Sequence, residues 1–262
     1  MPAVDLRKYR DVRYFAYTIR RVLTASQRDE GGVTKIQNDS DFLVQQLVAN
    51  ATSTIFDAQI LDTGSGRNFF DAITRAALVF GTAQRPNVLL HPKLINANAQ
   101  LNWTLLDGSG ASNTIEVVLH GLKLFKTVPS GYQPRSRIDL SRYVEADYFI
   151  YKMLTSTALG ANATTTLLIN IQADADFLWQ KLVFRSTGTF RLRMSDLSCG
   201  MLFSDELVDN VNLLGTAQQP LVLLRPQLLL ANTVIAATIT DNSGAGNTIE
   251  IGMEGTKLFI GR

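Results

Sequence analysis

The side chains in this sequence that could do chemistry are two histidines, one cysteine and several carboxylates. His91 and His120 stand in neither an HxxxH nor an HExxH spacing, which are the spacings that bring two imidazoles to one metal ion. Cys199 is the single cysteine, so it cannot form an internal disulfide, and the sequence places no histidine beside it. We therefore expect no catalytic residue, no metal ligand and no cofactor.

The elements that must position these residues are present twice. The repeated segments, 134 residues apart, are NTIEVVLHGLKLF (113–125) with NTIEIGMEGTKLF (247–259), and GTAQRPNVLLHPKLINAN (81–98) with GTAQQPLVLLRPQLLLAN (215–232). We interpret the chain as two homologous domains, residues 1–125 and 138–262, joined by a linker at 126–137 that carries Pro, Ser and Gly. A unit of this length is a whole domain, because solenoid repeats run to about 20–50 residues.

The repeat offers an internal test, because a function that both domains share should use residues at matched positions. Neither the histidines nor the cysteine recur. The alignment pairs His91 with Arg225, His120 with Glu254, and Cys199 with Ser65. We predict that the histidines are partly exposed polar residues on strands and that the cysteine is a small packing residue.

Four carboxylates do recur in both domains. The matched pairs are Asp39 with Asp174, Asp41 with Asp176, Asp107 with Asp241, and Glu116 with Glu250. The loops DGSGASN (107–113) and DNSGAGN (241–247) offer oxygen ligands for calcium, but their acidic content is low and turn formation accounts for their composition. We predict that Asp39 and Asp41 are solvated charges that protect a sheet edge from pairing.

The tryptophans and a basic N-terminal segment could serve ligand binding. Trp103 aligns with Ala237 and Trp179 with Val44, which favours packing over a repeated sugar platform. Acidic residues interrupt the basic segment and the net charge is only +2, which favours a solvated face or contact with an acidic protein over nucleic acid. The basic residues are Arg7, Lys8, Arg10, Arg13, Arg20 and Arg21.

Strand patterns dominate both copies. Apolar residues alternate with polar ones at Phe190, Leu192 and Met194, as in a half-buried strand. Pro92 and Pro226 interrupt apolar runs, which predicts edge strands or bulges. With about six to eight short strands in each copy, the sequence predicts an all-β fold of two tandem β-sandwich, jelly-roll-like domains.

Two local predictions accompany this fold. The Gly-, Asn- and Ser-rich loops at 107–113 and 241–247 predict β-hairpins between the last two strands of each domain. Ser204–Leu214, with Ser204 as a possible N-cap and apolar residues at helical spacing, predicts one short helix, and Asp71–Leu78 predicts its counterpart.

Composition limits the class of protein. Hydrophobic residues are 46% and charged residues 18% of the chain, which is a globular balance. The opening segment MPAVDLRKYRDVRYFAY lacks the apolar stretch of a signal peptide, and we expect no membrane-spanning run of about 18 apolar residues.

The end of each copy resembles a recurring pattern in structural proteins of tailed-bacteriophage virions. VLLRPQLLLANTVIAATITDNSGAGNTIEIGMEGTKLF (222–259) shows its parts: an apolar strand with proline, an L-x-A-N segment, a strand, an Asn/Ser/Gly turn, and N-T-I followed by G-x-K. The resemblance covers residues 86–125 and 220–259. It implies a β-sandwich or jelly-roll subunit of the capsid, collar or tail, and it carries over no catalytic residues.

The expected function is therefore that of a non-enzymatic structural component of a virion, namely a capsid decoration or cement protein, a minor capsid protein, or a head–tail or collar protein. The expected partners are other virion proteins (major capsid, portal or collar, and tail proteins) and further copies of the chain, with no membrane and no direct nucleic-acid contact. We expect assembly in the host cytoplasm and a final location in the virion. A carbohydrate- or receptor-binding module of a phage tail is the alternative.

Overall fold

The computed structural model describes residues 4–127, 139–155 and 157–260, so most of the expected linker lies outside the described residues. The chain forms two β-sandwich domains, which confirms the predicted all-β, jelly-roll-like class. A 3-10 turn precedes the first strand of each domain, at Leu6–Lys8 and Leu140–Arg142, and an aspartate side chain caps each turn. Among the described residues, no helix is long and apolar enough to cross a membrane.

The first domain contains nine strands and one helix. They are β1 (Asp11–Leu23), β2 (Arg28–Lys35), β3 (Asp41–Ala51), β4 (Phe56–Asp62), β5 (Arg67–Asn68), β6 (Thr74–Arg75), α1 (Ala76–Val79), β7 (Asn87–Ile95), β8 (Gln100–Asp107) and β9 (Asn113–Phe125). One antiparallel sheet has the order β1-β9-β3-β7. The facing sheet has the order β2-β8-β4-β5, with β6 also paired to β4. Because the long strands alternate between the two layers along the chain, with only short β5 and β6 staying in the layer of β4, the arrangement is that of a jelly roll.

The second domain repeats this topology. Its elements are β10 (Tyr143–Leu154), β11 (Thr164–Asn170), β12 (Asp176–Ser186), β13 (Phe190–Asp196), β14 (Met201–Leu202), β15 (Val208–Asp209), α2 (Asn210–Leu213), β16 (Leu221–Leu229), β17 (Val234–Asp241) and β18 (Ile249–Ile260). The sheets have the orders β10-β18-β12-β16 and β11-β17-β13-β14, with β15 paired to β13. The predicted alternation is confirmed, because Phe190, Leu192 and Met194 all point into the core between these sheets.

The prolines lie where their positions predicted. Pro92 is on β7 and Pro226 on β16, and each of these strands is the edge of its sheet. The pairing of β3 with β7, and of β12 with β16, is interrupted by a register shift beside the proline. Proline has no N–H to donate, and an irregular edge is where that missing hydrogen bond costs least.

The loops at 107–113 and 241–247 do not close β-hairpins, so that prediction is wrong. β8 lies between β2 and β4 in one sheet, whereas β9 lies between β1 and β3 in the other. The first loop is therefore a corner between layers, and the second loop repeats it between β17 and β18. The composition of such a loop predicts a chain reversal, but it does not reveal whether both strands belong to one sheet.

One short helix per domain is confirmed, but both helices are shorter than predicted. Only Asn210–Leu213 is helical within Ser204–Leu214, and the counterpart helix begins at Ala76. Ser204 does not cap a helix, because its hydroxyl donates to the carbonyl oxygen of Glu206 at 2.8 Å. Val208 and Asp209 pair with β13, and this pairing requires an extended backbone where the prediction had a helix.

Two residues shared by the repeated phrases are fixed by packing. A Cβ at Gly121 would overlap the carbonyl oxygen of Leu43, because β3 bulges towards β9 at this point. The lysine two positions later, Lys123, is buried and its Nζ lies 2.7 Å from Asp39 Oδ2. Gly255 and Lys257 repeat both arrangements in the second domain. The phrase is thus a structural signature of β9 and β18.

Candidate functional site: the interface between the domains

One end of the second domain covers the outer face of the sheet that contains β1 and β9, and it also pairs with the open edge of β1. Ala16 N–H donates to Phe203 O at 3.0 Å, and Asp205 N–H donates to Ala16 O at 3.2 Å. Ala83 N–H donates to Val211 O at 3.1 Å. The first-domain residues Tyr14, Ala16, Val48, Ala83 and Val118 belong to the same buried cluster as the core of the second domain. The apolar core is therefore continuous across the contact.

Two different surfaces meet in this contact. The docked face, on β1 and β9, consists of Tyr14, Ala16, Thr18, Glu116, Val118 and His120. The docking edge, on the loops and strand ends of the second domain, consists of Phe203, Asp205, Asp209, Val211, Asn212 and Leu224. Since a sheet face meets a loop edge, the contact joins unlike surfaces and is heterologous in kind.

His120 lies at the centre of the docked face and is fully buried, so the prediction of a partly exposed histidine is wrong. Its Nε2 lies 2.8 Å from the carbonyl oxygen of Asn212, which can only accept a hydrogen bond, so Nε2 carries the proton. Its Nδ1 therefore accepts from the Tyr14 hydroxyl at 2.6 Å. Burial lowers the pKa of His120 to about 4, so the imidazole is neutral at neutral pH.

Glu116 is also fully buried in the contact and accepts hydrogen bonds from the docking edge. Its Oε1 accepts from Asp209 N–H at 2.8 Å and from Asn212 Nδ2 at 3.0 Å. Arg20 and Arg191 flank it, with nitrogen–oxygen distances of 3.8 and 3.4 Å, and Arg20 also pairs with Asp209 at 2.9 Å. Burial and the Asp209 carboxylate raise the pKa of Glu116, while the hydrogen bonds and Arg191 oppose that rise.

A third buried polar contact lies at the other end of the docked face. Thr18 N–H donates to Asp205 Oδ1 at 2.9 Å, so a side chain of the second domain continues the hydrogen bonding of β1. Burial, assisted by neighbouring Glu206, raises the pKa of Asp205 to about 7. Sequence reasoning missed Asp205, Asp209 and Asn212 as contact residues. The signal was present, because the sequence around them differs strongly from its counterpart at 69–80.

Because the domains are homologous, the second domain carries a counterpart of the docked face and the first domain carries a counterpart of the docking edge. The free face, on β10 and β18, consists of Tyr148, Ile150, Lys152, Glu250, Gly252 and Glu254. The free edge of the first domain consists of Phe69, Asp71, Arg75, Ala77, Leu78 and Leu90. Tyr148 is 69% exposed where Tyr14 is 2% exposed, and Leu78 is 77% exposed where Asn212 is 0% exposed. Leu90 is 95% exposed, whereas its counterpart Leu224 packs between the domains.

Asp39 is exposed as predicted, but Asp41 is buried and β3 is an inner strand, so the predicted protection of a sheet edge is wrong. Asp39 pairs with buried Lys123, as described above. Asp41 is buried, accepts from Ala97 N–H at 3.0 Å and lies 2.8 Å from Lys126 Nζ. Asp176 repeats this role by accepting from Ala231 N–H at 2.9 Å. These carboxylates hold chain segments together and are not available as a catalytic pair.

The carboxylates of the corner loops are occupied by donors of the protein. Asp107 accepts from Ser26 N–H (3.0 Å), the Ser109 hydroxyl (2.7 Å) and Asn113 Nδ2 (3.0 Å). Burial would raise the pKa of Asp107, but these hydrogen bonds outweigh it and lower the pKa to about 2. Asp241 forms the matching bonds with Ser243 and Asn247, and its pKa is likewise lowered to about 2. Calcium would have to displace these donors in both loops.

The remaining candidate residues have structural surroundings. Trp103 and Trp179 are buried in the cores, as their lack of counterparts suggested. Cys199 is half-buried, and burial together with Asp196 raises the pKa of its thiol, which disfavours a nucleophilic thiolate. His91 is exposed. Within the described residues, no group of three or more His, Cys, Asp or Glu side chains could hold a metal ion.

The basic N-terminal residues are not uniformly solvated, so that part of the expectation needs correction. Arg13 is buried and its Nε lies 2.7 Å from Asp11 Oδ2. Arg20 binds Asp209, which belongs to the second domain of the same chain. The acidic partner of Arg20 is therefore part of this protein, whereas Lys8 and Arg10 are exposed.

No protein-family model matches this chain, and no curated protein sequence matches it. Among solved structures, the major capsid protein P2 of bacteriophage PM2 is 10% identical over 92% of this chain and 98% of its own, with a TM-score of 0.27. A223, a turret protein of Sulfolobus turreted icosahedral virus, is 14% identical over 93% and 98%, with a TM-score of 0.20. The tandem CBM22-1–CBM22-2 domain of Paenibacillus barcinonensis Xyn10C is 6% identical over 95% and 93%, with a TM-score of 0.19.

These likenesses are too weak to establish a shared fold or function. Of these three proteins, two are a capsid protein and a turret protein of viruses and one is a pair of domains from a bacterial protein. None of them supports the narrower expectation of a tailed-bacteriophage protein.

Proposed function

We propose that this protein is a non-enzymatic structural subunit of a virion that acts through protein–protein contacts. One observation carries the proposal: a repeated surface serves as a buried interface in one copy and is exposed, with large apolar side chains, in the other. The free face exposes Tyr148 and Ile150, and the free edge exposes Leu78 and Leu90. Large apolar side chains grouped on a surface mark sites of protein interaction.

The surroundings of the candidate catalytic groups support this function. A general base must reach the proton that it removes from a substrate. Glu116, Asp107 and Asp41 instead accept several hydrogen bonds from the protein itself, and His120 is enclosed between domains. The matched carboxylates therefore account for fold stability and domain docking without an enzymatic role.

The finer parts of the proposal concern place and partners. The protein is a capsid decoration or cement protein, a minor capsid protein, or a head–tail or collar protein, assembled in the host cytoplasm. Its partners are major capsid, portal or collar, and tail proteins, with no membrane and no direct nucleic-acid contact. Residues 1–125 and 138–262 are the two domains, and 126–137 is the linker between them.

The main argument for the alternative, a carbohydrate- or receptor-binding module, was an accessible tryptophan ring. That idea depended on Trp103 or Trp179 stacking on a sugar ring. Both indoles are buried, and their Nε1 atoms donate to Thr34 Oγ1 at 3.0 Å and Lys181 O at 2.8 Å. A sugar could reach neither ring without unfolding of the core.

The test is the protein's presence in virus particles. Particles purified from the source by density banding should contain the chain at a constant ratio to the major capsid protein, across fractions and after a high-salt wash. An abundant host protein measured in the same fractions by quantitative mass spectrometry is the control. A ratio that varies like that of the host protein, or absence from the band, overturns the proposal.

A further inference from the structure

The free face and the free edge are the two halves of the interface that already joins the domains. The free face on β10 and β18 corresponds by sequence to the docked face, and the free edge around α1 corresponds to the docking edge. Both are built on backbones with the same strand order. A surface that fits the free face therefore exists on the same chain, at its other end.

We propose that the free face of one copy binds the free edge of a second copy, repeating the contact between the domains. This inference deepens the proposed function, on which it rests, because it names the chain itself as one partner of the exposed surface. The proposed partner is a second copy because this chain itself carries the kind of loop edge that covers the matching face in the contact between its domains. A contact of one sheet face with one loop edge uses a different surface from each copy, so it adds copies head to tail and stops only where a ring closes.

The charges of the two free surfaces are complementary at matched positions. In the contact between the two domains, Thr18 N–H donates to the Asp205 carboxylate and Glu116 accepts from Asp209 N–H. The corresponding pairs in a contact between copies are Lys152 with Asp71 and Glu250 with Arg75. Each pair joins opposite charges, which favours this orientation; on the free chain Lys152 and Glu250 pair with each other at 3.3 Å.

The charge at the free edge has been exchanged relative to the docking edge. Arg191 on β13 faces Asp209 on β15, with nitrogen and oxygen 3.4 Å apart. Asp57 on β4 faces Arg75 on β6 at 3.0 Å in the first domain. Both domains therefore have an ion pair at this place, with the two charges exchanged. As a result the free edge carries partly exposed Arg75, whereas the free face carries Glu250 and Glu254.

Apolar side chains supply the remainder of the contact. The free edge exposes Leu78 and Leu90, and the free face exposes Tyr148 and Ile150. Leu224, the counterpart of Leu90, packs against Val12, Leu43, Leu122 and Leu124 of the first domain. Burial of such side chains is the main source of affinity, and the charge pairs set its orientation.

Sedimentation velocity on two variants tests the inference, because head-to-tail binding needs one intact surface from each copy. Leu78→Asp spoils the free edge and Tyr148→Asp spoils the free face, and both replaced side chains are largely exposed, so folding is preserved. The wild-type chain should form dimers or larger species as its concentration rises. Each variant alone should remain a monomer.

A mixture of the two variants provides the decisive measurement. The intact edge of Tyr148→Asp can bind the intact face of Leu78→Asp once, so the mixture should form a dimer of one copy of each and grow no further. Leu168→Asp replaces an exposed residue on the opposite sheet, β11, and should assemble like the wild type. Circular dichroism and thermal unfolding confirm that each variant is folded.

The other outcomes contradict the inference. A wild-type chain that stays monomeric at its highest soluble concentration overturns it, and so does a variant that dimerises alone. A mixture of folded variants that stays monomeric also overturns it. Failure of this test leaves the protein's presence in particles unaffected, so it can be told apart from failure of the proposed function.

Discussion

The two domains carry the same sheet face and use it differently. In the first domain the face of β1 and β9 is covered by the second domain, and its histidine and glutamate are fully buried. In the second domain the face of β10 and β18 exposes Tyr148 and Ile150. The inward-facing residues of β9 and β18 are apolar at the same positions and share a buried lysine, so these two strands differ chiefly at their outward-facing positions.

The comparison teaches how a duplicated domain acquires an internal interface. Ala16 and Val118 on the docked face correspond to Ile150 and Gly252, while His120 corresponds to Glu254. A neutral histidine can be buried between a hydroxyl and a carbonyl, whereas a carboxylate in that place would face the carbonyl oxygen without a proton to share. The exchange of a few outward-facing residues therefore decides which copy can be covered.

The largest difference between the copies is expected at the shared glutamate. Glu116→Ala should lower the free energy of unfolding by about 3 kcal/mol, because it leaves the N–H of Asp209 and the side-chain amide of buried Asn212 without their acceptor. Glu250→Ala, which removes a partly exposed pair with Lys152, should cost less than about 1 kcal/mol. Urea denaturation of dilute protein measures both. Equal losses in the two variants would show that the contact of the domains contributes little.

The next difference concerns pH. The pKa of His120 is lowered to about 4, so its contribution to stability is present above its ordinary pKa and is lost as the pH falls from about 6.5 towards 4. The stability advantage of the wild type over His120→Gln should shrink by about 2 kcal/mol between pH 7 and pH 5. Denaturation at a series of pH values gives this difference directly.

Two acids in the same contact act with the opposite sign. The pKa values of Glu116 and Asp205 are raised, so their contribution is present below the ordinary carboxyl range and is lost as the pH rises through about 7. Glu116 and Asp205 are present in both the wild type and His120→Gln, so their contributions to stability cancel when the two proteins are compared. His91→Gln alters an exposed imidazole and is the control. An advantage that does not change with pH would contradict a buried, neutral His120.

A smaller difference is expected at the matched tyrosines. Tyr14→Phe removes the hydroxyl that donates to His120 Nδ1 and should cost about 1 to 2 kcal/mol, because a buried acceptor loses its donor. Tyr148→Phe changes an exposed side chain and should stay within about 0.5 kcal/mol of the wild type. Thermal and urea unfolding compare the pair. A loss at Tyr148 as large as that at Tyr14 would contradict the assignment of the free face.

No difference between the copies is expected at the corner loops. The pKa values of Asp107 and Asp241 are both lowered to about 2, so their contribution is present above the ordinary aspartate range and is lost as the pH falls from about 4 towards 2. Asp107→Asn and Asp241→Asn should each make the loss of stability between about pH 4 and pH 2 smaller, and the two decreases should be similar. Acid titration followed by circular dichroism measures this. A marked inequality would break the symmetry that the repeat implies.

The sequence predicted the strands well and their connections poorly. Alternation predicts the inward residues of β13 because a half-buried strand repeats every second residue. Pro92 and Pro226 marked edge strands because a missing N–H restricts where proline can lie. The composition of the corner loops predicts hairpins, which is wrong, because Gly, Asn and Ser permit a reversal within one sheet and between two sheets alike.

The site was harder to predict than the fold. Glu116 was recognised as a recurring carboxylate and His120 as an unmatched histidine, but nothing local showed that both would be buried. Their burial depends on Asp209 and Asn212, which lie about ninety residues away in the chain. The helix predicted from Ser204 failed for the same reason, because Val208 and Asp209 pair with a strand of the sheet.

The sequence by itself determined that the protein has two homologous, strand-rich domains without a recognisable metal or nucleophile motif. Periodicity and internal repetition are properties of one chain read in order, so they need no knowledge of neighbours. The tertiary structure decided which copy of the shared face is covered, that His120 is neutral and enclosed, and that Leu78 and Leu90 are exposed. These properties depend on which distant segments exclude water, and the local sequence does not encode that directly.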